Sequence, residues 1–258
     1  MLNVIIINVI LFIVFFLIGW KSKPNFSRIL LFVVLFIFAC LNVAYYAHLF
    51  DNLDFYFTYR SCVIADYTTG FSGFLAGSTL YIKNKIYKIS FFILFLSLSA
   101  YAIVGPWAKL FINPMNYSAL PNEWKDNICR QSRASTCGPC SMANVLNNYG
   151  VLTSENELAK EAFTSGTGTE LWYLARCANR RGFTTKFVFD LKRLEKNSII
   201  GISLRSTGHF ISIIDINDNQ ITLIDSLAGK KIIDRNDFYI KYKFMGMSLI
   251  INKTLDSK

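Results

Sequence analysis

Apolar residues are concentrated in the first half of the chain. Four stretches there are mostly apolar or small, and each is about as long as the ~20 residues that a helix needs to cross a bilayer. We therefore predict an all-α bundle of transmembrane helices over residues 1–112, with helices at about 4–20, 29–50, 63–82 and 89–112. A cleaved signal peptide is the weaker interpretation of the first stretch, because its start, MLN, carries no positive charge and no A-x-A site follows.

The third stretch, residues 63–82, is the most polar of the four. Its sequence, VIADYTTGFSGFLAGSTLYI, contains an aspartate and several threonines and serines. Gly73 and Gly77 form a G-x-x-x-G pair, which predicts close approach to a neighbouring helix. A re-entrant or surface segment is the alternative to a span.

The loops between these stretches differ in charge. KSKPNFSR (21–28) and KNKIYK (83–88) are basic, whereas DNLDFYFTYR (51–60) is acidic on balance. The positive-inside rule places both basic loops in the cytoplasm. Residues 63–82 must then cross the membrane, and the C-terminal domain lies outside. A cytoplasmic domain, reached through three spans or an inverted bundle, is the alternative.

The second half of the chain has the pattern of a globular α+β domain. Residues 113–127, with two prolines, are predicted to be a linker, and residues 128–258 the domain. Helices are predicted at 139–148, at 154–163 with a Ser154–Glu157 capping box, and at 169–181 with Thr169 as cap. Short alternating runs then predict strands of an antiparallel sheet. They lie at 184–189, 198–204, 209–215, 220–225, 230–234 and 245–251.

Charge and cysteine spacing exclude several functions. The net charge is +10, but in the second half both signs are interspersed without a basic stripe, which argues against nucleic-acid binding. The six cysteines do not form the two C-x-x-C pairs of a zinc site, and the chain has only two histidines. We therefore predict no metal site, and we predict no cofactor.

The tetrapeptide Cys137-Gly138-Pro139-Cys140 allows two kinds of chemistry. A thioredoxin-like redox motif would follow a buried strand and require a later proline packed against the disulfide. Here polar residues precede the motif, and no proline follows Pro139. The alternative is a thiol nucleophile at a helix start, where the helix dipole favours the thiolate.

A nucleophilic thiol needs a base, a group that orients the base and an oxyanion hole. His209 is the one histidine of the second half and begins a predicted strand, and Asp225 ends the next strand of the same predicted hairpin. The two ends of a hairpin lie side by side, so the two side chains can touch. Gln131, six residues before Cys137, could donate to an oxyanion together with the Cys137 backbone N–H.

The spacing Gln131-x5-Cys137-Gly138-Pro139, followed by a distant His209 and Asp225, resembles the double-glycine leader peptidases. These papain-like cysteine peptidases mature bacteriocin precursors. The resemblance covers roughly residues 128–250 and implies a papain-like fold and cleavage of peptides after Gly-Gly. It also implies the roles of Cys137 as nucleophile, His209 as base, Asp225 as its orienting group and Gln131 as oxyanion donor.

Transporter-linked members of that family carry a six-helix transporter unit and an ATPase. Here four apolar segments precede the domain and no Walker motif occurs in the sequence. We therefore expect a membrane-anchored peptidase in the cytoplasmic membrane of a bacterium, acting on a peptide or protein substrate, with a separate export transporter as a candidate partner. A catalytically silent peptide-binding module and a thiol amidase or transpeptidase acting on cell-wall peptides remain alternatives.

The sequence does not determine whether the other cysteines form disulfides. Cys140 is interpreted as a core thiol, with a reversible Cys137–Cys140 disulfide as the alternative. A Cys129–Cys177 disulfide is compatible with the sequence, which does not determine their proximity.

Overall fold

The computed structural model describes residues 2–22, 25–44, 49–50, 53–204 and 207–254. The chain divides into two compact units, residues 1–51 with 62–108, and residues 52–61 with 109–258. The α-helices are α1 (Leu2–Lys21), α2 (Phe26–Ala44), α3 (Asp54–Ser61), α4 (Gly73–Ser78), α5 (Lys85–Ile112), α6 (Cys137–Asn148), α7 (Glu155–Glu161), α8 (Leu171–Arg180) and α9 (Arg235–Lys241). The strands are β1 (Trp124–Lys125), β2 (Ile128–Cys129), β3 (Phe183–Val188), β4 (Ser198–Leu204), β5 (Thr207–Ile216), β6 (Gln220–Asp225), β7 (Gly229–Asp234) and β8 (Lys243–Lys253).

The first unit is helical. Among the described residues, three helices, α1, α2 and α5, are long and apolar enough to cross a membrane. Residues 63–82, predicted as a fourth spanning helix, instead form 3-10 turns at 63–66, 68–72 and 79–81 around the short helix α4. The glycines and hydroxyl side chains of this stretch disfavour one regular helix, because glycine gains backbone freedom outside a helix and Ser/Thr hydroxyls bond back to nearby carbonyls.

Close packing against α1 fixes that broken segment. A Cβ atom added to Gly73 or Gly77 would overlap the backbone carbonyl oxygen of Phe12 or Phe16, so only glycine allows this approach. The close helix contact predicted from the G-x-x-x-G pair is therefore confirmed. The fully buried Asn8 of α1 also holds the segment, since it donates to the Asp66 carbonyl at 2.7 Å and accepts from the Gly70 N–H at 2.9 Å.

The second unit contains a six-stranded antiparallel sheet in the order β3-β8-β4-β5-β6-β7. All six predicted strands are present, and the predicted α+β class is confirmed. An apolar core lies between the sheet and α9, built from isoleucine and leucine side chains of β4, β5 and β6 around Phe238. Helix α6 packs on β5 with reciprocal hydrogen bonds, because Ser141 Oγ donates to the Phe210 carbonyl at 3.0 Å and Ser212 Oγ to the Ser141 carbonyl at 2.9 Å.

The three predicted helices of this unit are also present, with small differences at their starts. The Ser154 cap is confirmed, since its Oγ accepts from the Glu157 N–H at 3.3 Å. Thr169 does not cap α8, which begins after Glu170. Its hydroxyl instead bonds the Thr164 hydroxyl at 2.6 Å. The predicted linker contains β1, which pairs antiparallel with β2.

Helix α3 belongs to the second unit although it lies in the chain between apolar helices of the first. The Phe57 ring packs against the rings of Trp172 and Phe187, with centroids 5.4 and 5.3 Å away. The buried Arg176 of α8 donates to the carbonyls of Arg60 and Ser61 at 2.6 and 3.2 Å, satisfying acceptors at the end of α3. Residues 54–60 of the acidic loop thus belong to α3, a docked element of the α+β unit.

Candidate active site

Three side chains far apart in the chain meet between the start of α6 and the sheet. Cys137 is the first residue of α6, a position where the backbone N–H groups of the first turn lack helical partners and create a positive field. His209 lies near the start of β5 and Asp225 ends β6, the neighbouring strand. His209 Nε2 and Asp225 Oδ1 are 2.9 Å apart, so the contact predicted from the hairpin is confirmed.

The imidazole lies between the thiol and the carboxylate. His209 Nε2 is bonded to Asp225, and the His209 ring and the Cys137 thiol line the same cavity. Because Nε2 is committed to Asp225, Nδ1 is the ring nitrogen left to exchange a proton with the Cys137 sulfur. The reciprocal serine bonds between α6 and β5 set this geometry, since Ser141 lies one turn after Cys137 and Phe210 directly follows His209.

Burial and hydrogen bonding shift the pKa of His209 in opposite directions. Burial alone would lower its pKa, because an apolar environment disfavours the charged ring. The hydrogen bonds and charges of Asp225 and Cys137 outweigh burial and raise the pKa of His209 to about 9. The site therefore favours an imidazolium at neutral pH.

The carboxylate of Asp225 is oriented by the turn that follows β6. Its Oδ1 also accepts from the backbone N–H of Leu227 at 2.9 Å. Burial would raise the pKa of Asp225, but the bonds from His209 and from the N–H groups of Leu227 and Ala228 lower it below the usual value. The sequence did not predict these bonds, because it shows the residue type of Asp225 but not the backbone N–H groups near its side chain.

Gln131 lies beside this group in a neighbouring cavity. A cavity of about 280 Å³ is lined by Gln131, Arg133, Leu204, His209 and Leu227 among others. The Gln131 amide Nε2 donates to the Arg133 carbonyl at 2.9 Å, and its Oε1 accepts from Ser226 Oγ at 2.6 Å. Ser226 was missed by sequence reasoning, because nothing local links positions 95 residues apart.

A second cavity adjoins the first, since Gly208 and His209 line both. It measures about 210 Å³ and includes both Cys137 and His209 in its lining. Gly201 and Gly208 form part of its wall, where an added Cβ would approach the side chains of Met247 and Met245 within 3.2 and 3.1 Å. Cys137, which is 7% exposed, and His209 therefore border the same small cavity.

The remaining cysteines of this unit are buried in its interior. Cys140 is fully buried, and the neighbouring Cys129 thiol together with burial raises its pKa. Asn144, one turn after Cys140, accepts through its Oδ1 from the Cys129 backbone N–H at 2.7 Å. Burial raises the pKa of the Cys177 thiol to about 12. All these cysteines are free thiols, and Cys140 faces Cys129 rather than solvent.

An α+β domain that places a helix-start thiol near an imidazole–carboxylate pair has the arrangement expected of a papain-like cysteine peptidase. The model of the peptidase C39 family matches residues 125–256, about half of the chain. This protein belongs to the peptidase C39 family, whose members are cysteine-type peptidases.

Two archaeal relatives resemble the same half of the chain. An uncharacterized protein of Methanothermobacter marburgensis is 35% identical over 130 residues, which are 50% of this chain and 90% of the relative. An uncharacterized protein of Methanothermobacter thermautotrophicus is 33% identical over 130 residues, again 50% of this chain and 90% of the relative.

Solved peptidase domains are similar at lower identity. The peptidase domain of Streptococcus ComA, a bi-functional ABC transporter involved in a quorum-sensing pathway, is 20% identical with a TM-score of 0.42, over 49% of this chain and 98% of that domain. A double-glycine motif protease from an AMS/PCAT transporter, in complex with the leader peptide, is 21% identical with a TM-score of 0.42, over 49% of this chain and 91% of the protease.

Proposed function

We propose that this protein is a membrane-anchored cysteine peptidase that cleaves a leader-type peptide after small residues, with Gly-Gly as the best candidate. The observation that carries the proposal is the His209–Asp225 contact of 2.9 Å in a site where His209 shares a cavity with Cys137, the first residue of α6. The cavity of about 210 Å³ that Cys137 and His209 share supports a substrate with small side chains next to the scissile bond. The three long apolar helices support the membrane anchor.

The reaction follows from the placement of these groups. The Cys137 thiolate attacks the scissile carbonyl carbon, and the carbonyl electron pair moves to oxygen to form an oxyanion. The backbone N–H of Cys137 and the free N–H of the Gln131 amide stabilise that charge. When the tetrahedral intermediate collapses, the C–N bond breaks and His209 Nδ1 gives its proton to the leaving amine. Water then attacks the thioester with His209 as base, releasing the leader acid and the thiol.

Cleavage of a defined peptide tests the proposal. The full chain, purified in detergent, is incubated with a synthetic peptide that carries one Gly-Gly pair within an otherwise small and polar sequence. Mass spectrometry is expected to find a single cut after the second glycine, and a peptide with Gly-Gly replaced by Val-Val should remain intact. Binding of the peptide without any cut would favour a silent binding module, and transfer of the acyl group to an added amine in place of hydrolysis would favour a transpeptidase.

The pH dependence of cleavage follows from the raised pKa of His209. The imidazolium is present below about pH 9 and is lost as pH rises through that value. Because acylation needs the imidazolium proton, kcat/KM should fall above about pH 9. Asp225→Asn removes the carboxylate charge that raises the pKa of His209, so the descending limb should move to lower pH and the rate should fall.

An exposed aspartate of the same hairpin provides the control. Asp215→Asn, on the solvent-facing side of β5, should leave the limb in place. A descending limb that stays at the same pH in Asp225→Asn would contradict the proposed coupling between Asp225 and His209.

A further inference from the structure

The loop that carries Gln131 is anchored from two sides. Ser132 donates through its backbone N–H and its hydroxyl to Glu155 Oε1, at 2.8 and 2.9 Å, and Glu155 is fully buried. On the other side, the Arg133 carbonyl accepts from the Thr136 hydroxyl at 2.9 Å, directly before Cys137. The backbone position of Gln131 is thus set relative to the start of α6.

Two partners fix the orientation of the Gln131 amide group. The two ends of an amide are alike in shape but opposite in polarity, and only the nitrogen end can donate to an oxyanion. The Arg133 carbonyl can only accept, so the 2.9 Å contact requires the nitrogen at that end. Ser226 Oγ, 2.6 Å away, donates to the oxygen end. The second N–H of the amide is left for another acceptor.

Ser226 connects this amide to the imidazole–carboxylate pair. It directly follows Asp225 in the turn between β6 and β7, and it is 2% exposed. The same turn supplies the Leu227 N–H that bonds Asp225. The three-residue turn 226–228 therefore orients the carboxylate behind His209 through its backbone and the Gln131 amide through a side chain.

We propose that Ser226 is a positioning residue of the oxyanion hole, which holds the oxygen of the Gln131 amide away from the developing negative charge and keeps an N–H available to it. This inference rests on the proposed peptidase function. Without the Ser226 hydroxyl only the Arg133 carbonyl orients the amide, so its oxygen end would face the oxyanion for a larger part of the time. The loss is expected in the chemical step, since the oxyanion forms only there.

The test compares Ser226→Ala, Ser226→Thr, Gln131→Ala and the double variant Ser226→Ala/Gln131→Ala in the detergent-purified full chain, with the Gly-Gly peptide as substrate. Gln131→Ala should lower kcat by about 10²-fold or more, as for other oxyanion donors. Ser226→Ala should lower kcat by about 10-fold with KM within about twofold. Ser226→Thr, which keeps the hydroxyl, should recover most of the rate. The double variant should match Gln131→Ala, because Ser226 acts through that amide.

Two controls separate a positioning role from damage to the fold or to the thiol. Iodoacetamide alkylation of Cys137 forms no oxyanion, so its rate in Ser226→Ala should stay within about twofold of wild type. Ser198→Ala removes another fully buried serine hydroxyl, which donates to the Glu195 carbonyl at 2.7 Å at the far end of β4, and should leave kcat unchanged.

The outcomes distinguish the two claims. If wild type cleaves the peptide but kcat is unchanged in Ser226→Ala, the role of Ser226 is overturned and the proposed function stands. The same holds if the losses of the two single variants multiply in the double variant. An equal loss of alkylation and cleavage in Ser226→Ala would assign the serine to the thiol or the fold and also overturn it. No cleavage by wild type would overturn the proposed function and the role of Ser226 with it.

Discussion

Replacing Cys137 with alanine should reduce peptide cleavage by roughly 10⁴-fold or more, because a thiol hydrolase has no path through the acyl-enzyme without its nucleophile. His209→Ala should cost a similar factor, and the double variant should be no slower than either single variant, since the two groups act as one unit. The measurement is kcat/KM on the Gly-Gly peptide, with circular dichroism to verify that both variants are folded.

Cys177→Ala is the matched control for this substitution. It removes a thiol from a fully buried site on α8, which should lower the stability of the fold modestly. Its kcat/KM is expected to stay within about twofold of wild type. Cleavage that survives in Cys137→Ala at more than a few per cent of the wild-type rate would assign the activity to another residue or to a contaminating protease.

Phe57→Ala should destabilise the α+β unit by about 3–5 kcal/mol, the usual cost of removing a buried phenylalanine. The ring is 3% exposed and contacts the rings of Trp172, Phe187 and Phe189, so its removal leaves a cavity under α3. The expected result is a lower midpoint of thermal unfolding and faster amide hydrogen exchange in α3 and β3.

Phe55→Ala serves as the comparison on the same helix. Its side chain is 52% exposed, so the change should cost less than about 1 kcal/mol. Equal effects of the two substitutions on exchange in β3 would contradict the docking of α3 through Phe57. The comparison matters for any isolated peptidase domain, since one that begins at the predicted linker would lack α3.

The strands and the central helices could be predicted because their signals are local. Alternating apolar residues mark each strand, and Ser154 with Glu157 marks the start of α7. The His209–Asp225 contact could also be predicted, because a hairpin with a short turn places its two ends together. These features depend on residues that are close in sequence or joined by one turn.

The features that sequence reasoning missed are contacts between distant segments. The Gln131–Ser226 bond joins residues 95 apart, and Arg176 reaches carbonyls 115 and 116 residues away. The charges of the flanking loops suggested that residues 63–82 form a fourth span, but packing of its glycines on α1 favours broken turns. The side of the membrane on which the α+β unit lies stays a prediction from the loop charges.

Alkylation of the native full chain by iodoacetamide at pH 7, followed by peptide mapping, tests the activated thiol most directly. It needs no substrate. It compares the alkylation rate of Cys137 with the rates of the exposed Cys62 and the buried Cys177 in the same sample. We predict that Cys137 reacts about 10-fold or more faster than Cys62, that Cys177 reacts only on unfolding, and that His209→Ala removes the enhancement at Cys137. A Cys137 that reacts no faster than Cys177 in the folded protein, or whose rate is unchanged in His209→Ala, would contradict a nucleophile activated by His209.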